Sequence, residues 1–233
     1  MASCSDAENM SAIAPTDHFD ARSSHFRVLA IMRALLTVAV LITQQAHAAV
    51  ECEAFRWEPE RLDFNAAKDQ RRIHDVEFHH FDARVESLVR GKTGVFPGGD
   101  IDFLVRYSPN HHRGLAALVR LSLRDKTPKP RGVNIPVECY LLRALEFKPS
   151  DVEVHKIYGT YLARLGRDPE AIARFEQAEK LSPDDPVIAY NLGLLLTEKR
   201  DFERARMYAE KAYAGGVQLP GLRDKLARQG QWR

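Results

Sequence analysis

Small residues recur in the C-terminal half of this chain at a fixed offset of 34: Gly159 and Gly193, Ala171 and Ala205, Ala178 and Ala212. A fixed period of a few tens of residues marks a supersecondary unit that cannot bury its apolar face alone and must stack on copies of itself. Within each period the apolar residues fall at helical spacing, and the recurring positions are small where two helix backbones would approach. The chain is thereby constrained to a stack of helical hairpins.

The middle unit spans 151–185. Its first helix, VEVHKIYGTYLARLG, places Tyr158, Gly159 and Leu162 on one stripe. Gly166 ends that helix and Pro169 opens the next, which is where each residue type is favoured. The second helix, EAIARFEQAEKL, aligns Ala171, Phe175 and Ala178, and Pro183 closes the unit. This resembles the tetratricopeptide consensus W-x2-L-G-x2-Y…A-x3-F…P, with Gly159, Ala171, Phe175 and Pro183 matching outright. His155, Tyr158 and Leu162 stand at the tryptophan, leucine and tyrosine positions. The next unit, 186–219, carries Leu192, Gly193 and Leu196, then Ala205, Ala209 and Ala212, with Asp201 as N-cap of its second helix. Gly215 and Gly216 lengthen its last turn, and the closing proline arrives late, as Pro220. Residues 220–233 read as a terminal helix with Leu222 and Leu226 inward, covering the apolar face that a last repeat would expose.

Stepping back by the same offset reaches Val137, Leu141, Ala144 and Pro149, the second helix of a degenerate unit over 109–150. Its first helix, HHRGLAALVRLSL, is expected to start at Asn110 after Pro109, and DKTPKPRGVNIP between the two is expected to be an exposed loop. Residues 49–108 form an N-terminal helical segment, with one long helical pattern over 62–90 ending at Gly91. IDFLVRY beyond it is ambiguous between strand and helix. The expected class is all-α: about three repeats, a capping helix and an N-terminal helical segment.

Residues 34–42, ALLTVAVLI, follow Arg33 and precede a small-x-small site at Ala46–Ala48. That order reads as a cleavable signal peptide within 1–48, with Met32 as an alternative start. A membrane span needs about 20 apolar residues, so no anchor is expected after cleavage. The expected location is the periplasm or the exterior of a bacterial cell. The remaining chain of about 185 residues is enough for one domain or a small domain plus an array. It keeps Cys52 and Cys139, and two cysteines in an oxidising compartment suggest one disulfide. The formal net charge of +2, from 34 basic and 32 acidic residues, leaves no footprint for nucleic acid.

Few residues point to chemistry. Gly91-Lys92-Thr93 looks like the tail of a phosphate-binding loop, but Glu86 stands where that loop needs glycine. His74 and Glu77 share a helical face and, with His111 or His112, offer a metal-binding or enzymatic alternative. No metal site, cofactor or catalytic residue is expected, and no HExxH, G-x-S-x-G or C-x-x-C is present. The resemblance instead implies a concave groove lined by the first helices of successive repeats. On this chain that stripe is Glu153, Lys156, Thr160 and Arg164, then Val187, Tyr190, Asn191, Leu194 and Glu198. It implies a non-enzymatic scaffold that holds a protein or peptide. A structural accessory subunit of a cell-envelope complex is the alternative.

Overall fold

A computed structural model describes Cys52, Glu58 and residues 60–232. The signal-peptide reading and its cleavage site lie outside the described residues. Those residues are all-α, in chain order α1 (Gln70–His80), α2 (Ala83–Glu86), α3 (Pro97–Tyr107), α4 (His112–Asp125), α5 (Val137–Phe147), α6 (Val152–Arg164), α7 (Asp168–Leu181), α8 (Pro186–Glu198), α9 (Phe202–Ala214) and α10 (Gly221–Arg228). None of them is long and apolar enough to cross a membrane.

The array is a stack of antiparallel helical hairpins. α6 pairs with α7 and α8 with α9, while the first helices α4, α6 and α8 lie side by side. Gly159 makes the α6–α7 approach possible: a Cβ there would stand 2.7 Å from the Phe175 ring, which is itself buried. The equivalent position of Phe175 in the next unit is Ala209, which leaves room beside Gly193. Leu222 of α10 fills that room, since a Cβ on Gly193 would meet its Cδ2 at 2.6 Å. The terminal helix thus replaces an aromatic residue that the last repeat lacks, and Leu222 and Leu226 are fully buried. The turns also repeat. Gly166 has φ +74, and Arg200, one period on, has φ +60 without being glycine, a conformation that favours glycine.

The N-terminal segment differs from the single long helix that the pattern over 62–90 predicts. α1 stops at His80, because Phe81 turns inward to 4% exposure and Asp82 caps a new start, accepting hydrogen bonds from the Arg84 and Val85 amides. A short extended residue with a carboxylate serves a helix better as a cap than inside it. IDFLVRY is helical, and the helix begins earlier, with Pro97 in the first turn of α3. α4 starts at His112, not at Asn110: the cap is His111, whose Nδ1 accepts from the Gly114 amide at 3.0 Å. The 126–136 loop is buried at Pro130 and Val133, half-buried at Thr127, Ile135 and Pro136, and otherwise exposed; Val133 joins the core and Ile135 packs against it. α1 and α2 pack on α3, and α3 on α4. Cys52 is joined to Cys139 on α5 by a disulfide across 87 positions.

Candidate functional site

The first helices of three successive units bound one concavity of about 270 Å³. α4 contributes Ala116, Val119 and Arg120; α6 contributes Glu153, Lys156, Ile157 and Thr160; α8 contributes Val187 and Asn191. The floor is aliphatic, with Val187 about half exposed at 45%. Its polar groups are held in place by local bonds. Thr160 Oγ1 donates to the Lys156 carbonyl at 2.9 Å, and Asn191 Nδ2 donates to the Val187 carbonyl at 2.8 Å. These bonds leave the Asn191 side-chain oxygen and its second N–H, and the lone pairs of Thr160, for a ligand. Arg120 reaches back to the Glu86 carbonyl at 2.9 Å.

The stripe read from the sequence is divided by the fold. Glu153, Lys156, Thr160, Val187 and Asn191 lie together in this groove. Arg164 lines a second concavity with Lys126, Leu123 and Arg167, between the α4–α5 loop and the α6–α7 turn. Tyr190 is not a groove residue: it is only 9% exposed, and the α10 backbone lies so near that a Cβ on Gly221 would be 2.8 Å from its hydroxyl oxygen. Burial raises the pKa of that hydroxyl. Glu198 is paired with Lys225 of α10, and Leu194 packs against the core. The capping helix therefore claims the far end of the stripe. Val119, Arg120, Ala116 and Ile157 were missed, although the offset of 34 carries Glu153 back to Val119 and Asn191 back to Ile157.

Lys156 has a structural duty as well as a groove position. Its Nζ is 2.8 Å from Glu153 and 3.1 Å from Asp185. Asp185 in turn caps α8 through the Val187 and Ile188 amides. Burial disfavours the ammonium, but the two carboxylates outweigh it and raise its pKa. Reversing this charge would loosen the α6–α8 junction, so Lys156 is a poor probe of binding.

His74, Glu77, His111 and His112 are not brought together as a metal centre. His111 Nε2 meets Glu77 Oε1 at 3.0 Å. Because Nδ1 accepts the Gly114 amide, the ring proton must sit on Nε2 and donate to Glu77. Both nitrogens are thus used, and burial lowers the His111 pKa in keeping with a neutral ring. His112 points elsewhere, to Asp151 at 2.9 Å, and His74 is exposed. Among the described residues no group of three or more His, Cys, Asp or Glu is placed to hold a metal. The Gly91-Lys92-Thr93 loop does hold an anion, but one from its own chain. The buried Asp100 carboxylate accepts from the Lys92 amide at 2.7 Å, the Thr93 amide at 3.1 Å and the Thr93 hydroxyl at 2.6 Å.

A second polar centre lies where the N-terminal segment meets the array. Asn110, fully buried, donates to Asp63 at 2.8 Å and to Asp151 at 2.9 Å, and accepts from the Phe64 amide at 2.9 Å. Asp151 also caps α6 and receives Asn65 and His112. Lys148 pairs with Asp63 at 2.8 Å. Every polar group named here is satisfied within the protein, which makes the cluster a fastening and leaves no site for a substrate.

Compared with known proteins, residues 159–199 match the family model of the TPR repeat. No curated protein matches the chain. Solved structures similar to it include "YrrB: a TPR protein with an unusual peptide-binding site", at 20% identity and TM-score 0.42, covering 57% of this chain and 64% of that one. MamA AMB-1 is similar at 18% identity and TM-score 0.38, covering 53% of this chain and 65% of that one. PilF of Pseudomonas aeruginosa is similar at 18% identity and TM-score 0.28, covering 56% and 78%. The chain thus spans slightly less than two thirds of the first two proteins.

Proposed function

We propose that this chain, a tetratricopeptide-repeat protein, is an exported scaffold that grips an extended peptide segment of a partner protein in the groove of α4, α6 and α8. The observation that carries this reading is the open aliphatic floor of Ala116, Val119, Ile157 and Val187 beside the spare hydrogen-bonding capacity of Asn191. An apolar side chain of the peptide would seat on that floor while Asn191 meets its backbone. A few such contacts usually dominate peptide affinity. Repeats of this class are generally interaction surfaces that carry no reaction of their own, in keeping with a non-enzymatic role.

Peptides selected from a random display library against the purified protein supply the probe. Val187→Glu combined with Asn191→Ala should weaken their binding about thirtyfold, the equivalent of about 2 kcal/mol. Melting should be unchanged, since both side chains face the groove. Gln177→Arg on the exposed face of α7 should do little. Selected peptides that ignore the groove changes but lose affinity on the α7 change would place binding on the outer face and end the proposal.

Export is supported by the apolar run at 34–42, the Ala46–Ala48 site and the disulfide, which belongs to oxidising compartments. The product recovered outside the cytoplasm should begin near Ala49, including when translation starts at Met32. Terminal sequencing decides it; a chain retained in the cytoplasm at full length would overturn this part.

A further inference from the structure

Two loops before α5 combine basic residues with exposed apolar side chains, and neither lines the groove. The first, residues 87–96, contains Arg90 and Lys92 and no acidic residue; the second, 126–134, contains Lys126, Lys129 and Arg131 and no acidic residue. The loops are in contact: the Arg131 guanidinium lies 4.4 Å from the centre of the Phe96 ring, and a Cβ on Gly98 would meet the Arg131 carbonyl at 2.2 Å. Nearby carboxylates are already engaged, Asp82 by Arg84, Glu86 by Arg113, Asp125 by Arg124 and Asp100 by the 91–93 loop. Asp75 on α1 is the exposed exception. None of the five loop cations has a carboxylate partner among the described residues.

Apolar side chains project from the same place. Val95 is 77% exposed, Val89 71%, Phe78 66% and Phe96 42%. Phe78 is tied to the first loop, with Lys92 Nζ 5.0 Å from its ring centre. Exposed aromatic and aliphatic residues grouped on one part of a surface mark an interaction face. Cations alone would fit any polyanion; large apolar tips among them fit a surface that is anionic outside and hydrocarbon within.

We propose that this face docks peripherally on a bilayer containing anionic lipid, with Val95 and Phe96 entering the interface and Arg90, Lys126, Lys129 and Arg131 meeting headgroup phosphates. Lys92 stays beside Phe78. The protein would then present its peptide groove from the membrane surface.

Co-sedimentation of the purified exported chain, beginning near Ala49, with vesicles tests this. Binding should be strong on phosphatidylcholine mixed with phosphatidylglycerol, weak on phosphatidylcholine alone, and should fall as salt rises. Removing two cations, Arg90→Ser with Lys129→Ser, should reduce binding to the mixed vesicles about 25-fold, at about fivefold each. Val95→Ser with Phe96→Ser should reduce it tenfold or more, since about two large apolar side chains lose their burial. Val187→Glu with Asn191→Ala should leave vesicle binding intact, which separates this surface from the groove. Equal binding to both vesicle types by the wild-type chain would overturn the proposal. So would apolar variants that bind as wild type while the charge variants fail, because the face would then fit an acidic macromolecule and no bilayer.

Discussion

Reduction of the Cys52–Cys139 disulfide should lower the unfolding free energy by about 4–5 kcal/mol, the largest single effect foreseen for this chain. The bond closes 87 positions of sequence, from the N-terminal segment to the first turn of α5. The gain comes chiefly from the unfolded chain, whose ends the bond keeps together, and grows only slowly with loop length. Cys139 is buried, whereas Cys52 is exposed. Cys52→Ala therefore removes the cross-link without opening a core cavity, and should match the reduced wild type. Denaturant unfolding with and without reductant, with thiols counted to confirm reduction, gives the difference directly. Coincident midpoints for the oxidised protein, the reduced protein and Cys52→Ala would show that the cross-link carries no stability.

Asn110→Ala is the second large change, at about 3 kcal/mol, because burying polar groups without partners costs about 1–3 kcal/mol each. The side chain ties its own segment to two pieces of chain far away in sequence: the neighbouring Asp63 and Phe64 of the N-terminal loop, and Asp151 at the start of α6. Removing it leaves the half-buried Phe64 amide without an acceptor and takes one donor from each of two carboxylates. Acid unfolding gives a second readout. Burial works against ionisation of Asp63, but hydrogen bonds from Lys148 and Asn110 outweigh it and lower its pKa. At Asp151 burial is likewise outweighed, by His112 and Asn110. Depressed carboxyl values give stability that is present above the unfolded pKa of about 4 and lost as pH falls through the folded value. The wild type should therefore destabilise below that point, and Asn110→Ala should show a shallower acid loss from a lower start. A variant as stable as wild type at neutral pH, with an unchanged acid limb, would show that the cluster fastens nothing.

The groove was partly legible before any coordinates. Glu153, Lys156, Thr160, Val187 and Asn191 follow from helical spacing and register, because a residue's side of a regular helix is fixed by its position along it. Tyr190 obeys the same spacing and still leaves the groove, since α10 returns over it. No local rule gives the place where a terminal helix docks. Lys156 likewise acquires its fixed role only from Asp185, 29 positions away, whose position depends on how the two repeats stack.

The repeat follows from local spacing. Gly159, Phe175, Gly193 and the paired alanines encode a close approach of neighbouring helices, a contact short in sequence and therefore repeated with it. The N-terminal half follows from contacts distant in sequence. There Phe81 breaks the predicted long helix by turning into the core, Asp100 takes the amides of the Gly91-Lys92-Thr93 loop, and Asn110 joins segments more than forty positions apart. Periodicity carries information only about contacts that recur at its period. Non-recurring contacts rest on which buried polar group finds which partner, and that choice exists only once the chain has closed around it.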